Sequence, residues 1–414
     1  MHGSIDSTDN ASNERILFLF NARHGLAPYS HAFIDTMMDV QVLSGFVSAI
    51  LSFMQEALGS SQKSWKTEYG SDSTLLVEAG DWIVGVLAVS RVTSELRSRV
   101  RSIVKRFEKD FAFMKDCDGI EGGIYTEFDS IVRHEFVDSR VSERSIFLKR
   151  PDWVERGRCL PPEEISQRVV DFMTRADDGK TLGDVSAELG MNIDDVTDCA
   201  SQAVWHRLAS MVYVPSDEDL LSLSEGSSSV LLGRGNPANL SPDTLLLLSM
   251  TDGRSELARL IEIIEPADKD ATLRELGILL NKGYVQRESF ERILVFVTEC
   301  IVSSLLISCG KYLGVAATEA LIRRAMKAGS RAHPWIGRIS VDGDLHARCR
   351  LDDTMSPTDL DDTRLALIYL QDRVFDELTE ALGQEKAEDL VLRAQAACYK
   401  QWAHLMDPSL AASL

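Results

Sequence analysis

The sequence lacks paired cysteines, clustered histidines and a complete phosphate-binding loop, and each absence removes a class of function. Its seven cysteines, Cys117, Cys159, Cys199, Cys300, Cys309, Cys349 and Cys398, are odd in number, scattered, and form no CxxC pair. That usage argues against a disulfide framework and a zinc knuckle and points to a reducing compartment. The eight histidines are equally dispersed, with no HExxH and no His-x-His pair. A GxSxG elbow is absent. Gly179-Lys180-Thr181 matches the end of a P-loop, but Thr174 stands where the first glycine belongs and no strand precedes it. It reads as a turn that opens a helix with Thr181 as the cap. Gly233-Arg234-Gly235 lacks a third glycine and a strand–helix setting, so it reads as a loop.

Positive charge is also scarce. Forty-four Lys and Arg stand against 64 Asp and Glu, a net charge of -20. Nucleic acid and anionic lipid are repelled at long range unless a local basic patch exists. No apolar run is comfortably long enough for a bilayer. The longest, Ile293 to Gly310, carries Glu299 in its middle and falls short of the ~20 residues a span requires; it reads as a buried helix. The opening MHGSIDSTDNASNE is polar and acidic, unlike a signal peptide. A cytoplasmic location is the expectation.

What is present is globular material. With 414 residues, 44% apolar and 26% charged, the chain has enough core for two to four domains. Ile16–Phe20 reads as a strand, followed by a polar break and a second extended segment. A helix over about 39–58 follows, with Val42, Leu43, Phe46, Ile50, Phe53, Met54 and Ala57 at three- and four-residue spacing and Gly59 as the stop. WKTEYG, STLLVEAG and DWIVGVLAVS read as three strands separated by Gly-containing turns. Thr93 or Ser94 caps a long helix to about Met114, striped by Leu96, Val100, Ile103, Val104, Phe107 and Phe111. A shorter helix, about 124–137, closes the unit.

Two strands, a helix, three strands and a helical pair is the layout of longin domains. VLSGFVSAILSFMQEALG followed by YGSDSTLLVEAGDWIVGVLAVS resembles the longin- and roadblock-like proteins of archaea over roughly the first third of the chain. The resemblance implies a binding platform for small GTPases or other longin-like partners, with no catalytic residues of its own. Such folds also pair through sheet edges and through the first long helix, so part of the Leu43, Phe46 and Ile50 face is either core or a dimer contact.

Residues 138–162 are polar and proline-containing, a linker by composition. ISQRVVDFMTRA, TLGDVSAELG and IDDVTDCASQAVWHRLASM then read as three helices, and MVYVP as a following strand with PSDED as its wing, so 162–222 looks like a winged helix. A second such unit, 239–289, ends in a helix, a Lys-Gly turn and a strand and resembles the PATAN-type modules of prokaryotic signalling proteins. EGSSSVLLGRGNPAN between them reads as a linker. Residues 290–408 are helical and carry a weak internal repeat: LGVAATEALIRRAMKAG from Leu313 and LGQEKAEDLVLRAQAAC from Leu382 share Leu-Gly, Glu319/Glu388, Leu321/Leu390, Arg324/Arg393, Ala325/Ala394 and Ala328/Ala397. Two helical hairpins would form a bundle. The fold class is therefore α+β and multidomain: a longin-like five-stranded antiparallel sheet at 12–138, two winged-helix-like modules and a C-terminal helical bundle.

Chemistry-bearing clusters are few. Asp194-Asp195 and Asp361-Asp362 sit at helix starts, where they complement the dipole, and His134-Glu135 lack a third ligand at metal-compatible spacing. No catalytic residue, cofactor or metal is expected. On the first winged-helix-like unit, Arg168, Arg175, Lys180 and Arg207 face a large excess of acids, and the would-be recognition helix opens with IDDVTD, a poor match to phosphate. One basic stripe stands out: Arg97, Arg101 and Lys105 at spacing four, with Arg99, Arg106 and Lys109 beside them. It is either a solvated helix face or an electrostatic contact for an acidic partner. The expected function is a non-catalytic scaffold or regulator that binds a Ras-like small GTPase or another longin or roadblock protein. The alternatives are a winged-helix transcriptional or signal-receiver regulator and a small-molecule sensor in the C-terminal bundle.

Overall fold

A computed structural model describes residues 12–402 apart from 24, 37, 59–63, 71–72, 116–125, 162–163, 234–235, 237, 332, 352–354 and 356. The chain divides into two compact units, 1–287 and 288–414.

The first unit begins with β1 (Glu14–Asn21), β2 (Tyr29–Ala32), α1 (Val40–Leu58), β3 (Ser64–Tyr69), β4 (Ser73–Ala79), β5 (Ile83–Val89), α2 (Ser94–Asp110) and α3 (Thr126–Phe136). The strands form one antiparallel sheet in the order β2-β1-β5-β4-β3, compatible with a longin-like fold. Both faces of the sheet are covered, which is why β1, β4 and β5 are apolar in consecutive positions. Alternation sorts them: Ile16, Phe18, Phe20, Leu75, Val77, Val84 and Val86 pack with Leu43 and Val47 of α1. Leu17, Leu19, Leu76, Ile83 and Leu87 pack with Leu96, Val100, Val104 and Phe107 of α2 and Phe128 of α3. Gly85 lets α2 approach β5, since a Cβ there would lie 2.5 Å from a Val104 methyl. Thr93 caps α2 by accepting from the Leu96 amide. The helix ends at Asp110, short of the expected Met114, and a 3-10 turn covers Ala112–Met114. The expected start of the next helix at 124 lies outside the described residues.

Past a 3-10 turn at Asp138–Arg140 come β6 (Ile146–Lys149), α4 (Trp153–Cys159), α5 (Gln167–Arg175), α6 (Leu182–Leu189), α7 (Ile193–Trp205), β7 (Ala209–Val212), β8 (Leu221–Leu223), α8 (Ser227–Leu231), α9 (Pro242–Met250), α10 (Leu257–Ile264), α11 (Lys269–Asn281) and β9 (Val285–Arg287). Within the segment expected to be a linker, 138–162, lie β6 and α4, and β6 pairs with β7 from Ile146↔Val212 to Lys149↔Ala209. Its polarity misled because β6 is only four residues long and half-buried at Leu148 and Lys149. The strand expected after α7 forms as β7 but takes β6 as its partner, and the acidic stretch expected as a wing is tied down: Asp217 receives two bonds from Arg144, at 2.8 and 3.0 Å. Thr181 caps α6 through the Asp184 amide, as the turn reading required, and Gly190 ends the helix at φ 64°.

The two three-helix modules share one plan. β6 pairs with β7 and bridges Thr181, the cap of α6; β8 pairs with β9, and its neighbour Leu220 bridges Glu256, the cap of α10. Ile146↔Val212 and Leu221↔Arg287 are the same pair seventy-five residues apart. The stretch EGSSSVLLGRGNPAN is not merely a linker, because it supplies α8, with Leu231 buried.

The second unit contains α12 (Phe290–Leu313), α13 (Val315–Gly329), β10 (Ile339–Val341), β11 (Ala347–Cys349), α14 (Pro357–Leu382) and α15 (Gln384–Trp402). α12 touches all three other helices. By length and composition α12 could cross a membrane, yet 61% of its most apolar window is buried inside the protein. Its Glu299 is buried and accepts the Cys349 amide, and Ser303 accepts the Ala347 amide at 2.9 Å. Both Leu-Gly pairs of the internal repeat do the same work: Gly314 (φ 88°) separates α12 from α13, and Gly383 (φ 85°) separates α14 from α15. A side chain at either glycine would meet a disfavoured backbone region.

Candidate interaction surface

The basic stripe on α2 does not face solvent as a unit. Glu78 of β4 points to the α2 side of the sheet and is 4% exposed. A buried carboxylate must be paired, and it draws two arginines inward. Arg97, 5% exposed, lies 3.4 Å from Glu78 and also bonds the Ser64 hydroxyl; Arg101 lies 3.3 Å from the other Glu78 oxygen. Burial pushes the Glu78 carboxyl up, against the opposing pull of Arg101, Ser64 and Arg97. Arg99 turns to Glu95 at 2.9 Å and to the Glu135 carbonyl, and Arg106 pairs with Asp110. Lys105 remains exposed. Spacing alone placed these side chains on one helix; the strand residue that claims two of them has a different period and could not be matched to them in advance.

The first helix separates more cleanly. Leu43 is fully buried and Val47 lies beside it in the core, while Ile50 is half-buried. Phe46 is 42% exposed, Val42 is 64% exposed, and Gly45 and Ala49 are exposed with them. Residues 42, 45, 46 and 49 follow a helical repeat of three and four, so this is an outward apolar stripe. Tyr69 of the edge strand β3, half-buried against the core, borders it with its ring 6.4 Å from Phe46. Leu43 thus belongs to the core, Ile50 to its margin and Phe46 to the surface. The side chains of Phe53, Met54 and Ala57 lie outside the described residues.

A buried ionic network, absent from any sequence motif, holds this sheet against the three-helix modules. Arg140 reaches Glu14 of β1 at 2.7 Å and lies over the Tyr213 ring at 4.3 Å. Glu95 at the start of α2 faces Arg99 and Arg287, and Arg287 donates to Asp219 at 2.8 Å. Burial would raise the Glu95 carboxyl, but Arg99, Arg140 and Arg287 together hold it down at about 2. Asn281 of α11 donates to the Met211 carbonyl and accepts the Tyr213 amide, and its own carbonyl accepts the Asn13 amide. Trp205 at the end of α7 stacks on His31 of β2, centroids 3.4 Å apart. Desolvation, with Arg207 and His206 adding to it, lowers the His31 pKa to about 3. The sheet and both modules therefore share packing and charge across the boundaries that composition suggests.

The four basic residues of the first three-helix module are occupied. Arg168 pairs with Asp195, Lys180 with Asp177 and Glu188, Arg207 with Asp35 at 3.6 Å, and Arg175 donates to the Leu189 carbonyl. Asp35 also gathers Arg150 and Arg156, and the bond from Arg156 holds its carboxyl below the usual range. Asp194 and Asp195 stay exposed in the first turn of α7. His134 is exposed on α3. Among the described residues no three His, Cys, Asp or Glu side chains converge as a metal-binding group. No protein-family model matches the chain, and no curated protein is significantly similar to it.

Proposed function

We propose that the chain is a non-catalytic scaffold or regulator whose N-terminal sheet domain is longin-like and docks a folded protein partner through the outer face of α1. The observation that carries this reading is the outward stripe of Val42 and Phe46 on a helix whose inner face, Leu43 and Val47, is already satisfied by the core. An apolar stripe left on a helix beside an open sheet edge loses water favourably only when a partner covers it. The strand order and the resemblance favour a Ras-like small GTPase as that partner; a second longin or roadblock module is the other outcome.

The test is binding of the full chain to the Ras-like GTPases of its own cell in both nucleotide states, with Val42→Glu/Phe46→Glu in parallel. Both positions are exposed, so the double variant folds. Binding that the variant loses by tenfold or more is expected; absent binding in every nucleotide state removes the proposal. The DNA-reading alternative is disfavoured by the acidic first turn of α7 and by the internal pairing of Arg168, Lys180 and Arg207, because counterion release needs free cations facing phosphate. A specific gel shift at low salt would reverse that preference.

A further inference from the structure

Scattered in sequence, two cysteines of the second unit meet in space. Cys300 of α12 and Cys398 of α15 place their sulfurs 2.8 Å apart, within about 1 Å of the ~2.0 Å length of a disulfide bond. The helices that carry them are packed against each other, so the approach comes from tertiary packing and not from a local turn. The environment is asymmetric. Cys300 is half-buried, whereas Cys398 is 1% exposed. The Cys398 thiol, opposed by burial, draws the Cys300 pKa down, with Arg348 assisting. Cys398 is shifted upward by Cys300 and by burial, and Ser304 lies 3.9 Å from its sulfur. One sulfur is thus accessible and ready to ionise, and the other is protonated and adjacent. That is the arrangement of an attacking and a resolving thiol.

We propose that Cys300 and Cys398 form a reversible disulfide that locks α12 to α15, with a hydroperoxide as oxidant. The Cys300 thiolate attacks the distal peroxide oxygen; the O–O bond breaks, and the departing oxygen takes a proton to leave as an alcohol or water. Cys300 is then a sulfenic acid. The Cys398 sulfur attacks it, the S–S bond forms, the S–O bond breaks, and the hydroxide leaves as water with the Cys398 proton. Overall two thiols lose two electrons and two protons to one peroxide. Reduction by a dithiol reverses the sequence. The bond would close a long loop spanning α13, β10, β11 and α14, and so would restrict the unfolded chain.

Full-length protein with Cys159→Ser, which removes the exposed thiol at that site, is treated with stoichiometric hydrogen peroxide at neutral pH. Free thiols are then alkylated and the peptides mapped. The expected result is a Cys300–Cys398 crosslinked peptide with a mass loss of about 2 Da, reversed by dithiothreitol, and a higher thermal transition for the oxidised protein. Recovery of both cysteines as alkylated free thiols, or of Cys300 as a sulfinic acid with Cys398 still free, overturns the proposal. Because the mapping is made on these native residues, it does not depend on a Cys300 or Cys398 variant folding. Cys398→Ser adds a second arm: Cys300 should then stop at sulfenic acid, trapped by dimedone, and absence of that adduct would remove Cys300 from the attacking role.

Discussion

Replacing Arg140 by methionine should test whether the sheet domain and the three-helix modules are held as one body by buried charge. Arg140 and Glu14 are 6% and 3% exposed and meet at 2.7 Å. At that separation and an effective dielectric near 20, the attraction is on the order of 4–6 kcal/mol, and removing one member of a buried pair typically costs about 3–5 kcal/mol. Loss of the guanidinium over Tyr213 adds about 1–2 kcal/mol. Methionine preserves most of the apolar stem, so the penalty reports the stranded Glu14 carboxylate, which keeps the Ser12 hydroxyl as a donor. The expected loss for Arg140→Met is therefore about 4–7 kcal/mol. Glu14→Gln should cost less, because Glu95 still faces Arg140. The double variant should be more stable than the sum of the two losses predicts, with a coupling of about 2 kcal/mol or more. Urea unfolding at neutral pH measures the totals. Hydrogen exchange of peptides from β1 and β7 locates the effect, since protection should fall on both sides of the expected module boundary. A loss below about 1 kcal/mol, or strict additivity, refutes the argument.

Acid should destabilise the first unit through His31. Its folded pKa, about 3, lies below the ordinary 6.5, so the unfolded chain binds the extra proton and stability falls as pH drops from about 6.5 toward 3. The His31 ring resonances should show no titration between about pH 8 and 5, and His31→Gln should flatten the stability profile over that interval. Glu95, held at about 2 against an ordinary 4.5, contributes stability that is present above about 4.5 and lost as pH falls through 2, on the order of 3 kcal/mol. Glu95→Gln should remove that part of the acid dependence in denaturant titrations. Gly314→Ala forces a side chain into φ 88°, ψ 147° and should lower the stability of the second unit by about 1–3 kcal/mol, measured by calorimetry; an unchanged transition would mean that α12 and α13 can meet by another geometry.

Local rules made much of the fold readable. Short apolar runs, Ile16–Phe20 and the three later ones separated by Gly-containing turns, identified strands of the sheet, Thr93 and Thr181 announced helix starts, and the repeated Leu-Gly at 313–314 and 382–383 marked equivalent breaks between long helices. Each of these signals is set by neighbours within a few positions, where spacing and backbone preference act directly. Readings that depended on partners far along the chain fared differently. β6 could not be seen in a polar stretch because its partner, β7, is some sixty residues away.

The candidate surface divides along the same line. Helical periodicity alone grouped Leu43, Phe46 and Ile50, and grouped Arg97, Arg101 and Lys105, because it depends only on residue number. Tertiary structure alone decided which members are free: Glu78 turned Arg97 and Arg101 inward, the sheet took Leu43, and Phe46 was left in water. It likewise brought Cys300 to Cys398 across ninety-eight residues. The sequence by itself determined the periodic elements and their ends, since those follow from short-range sterics and hydrogen bonding. Tertiary packing decided which charges are buried and which thiols meet, since burial and contact are properties of the assembled chain and of no local segment.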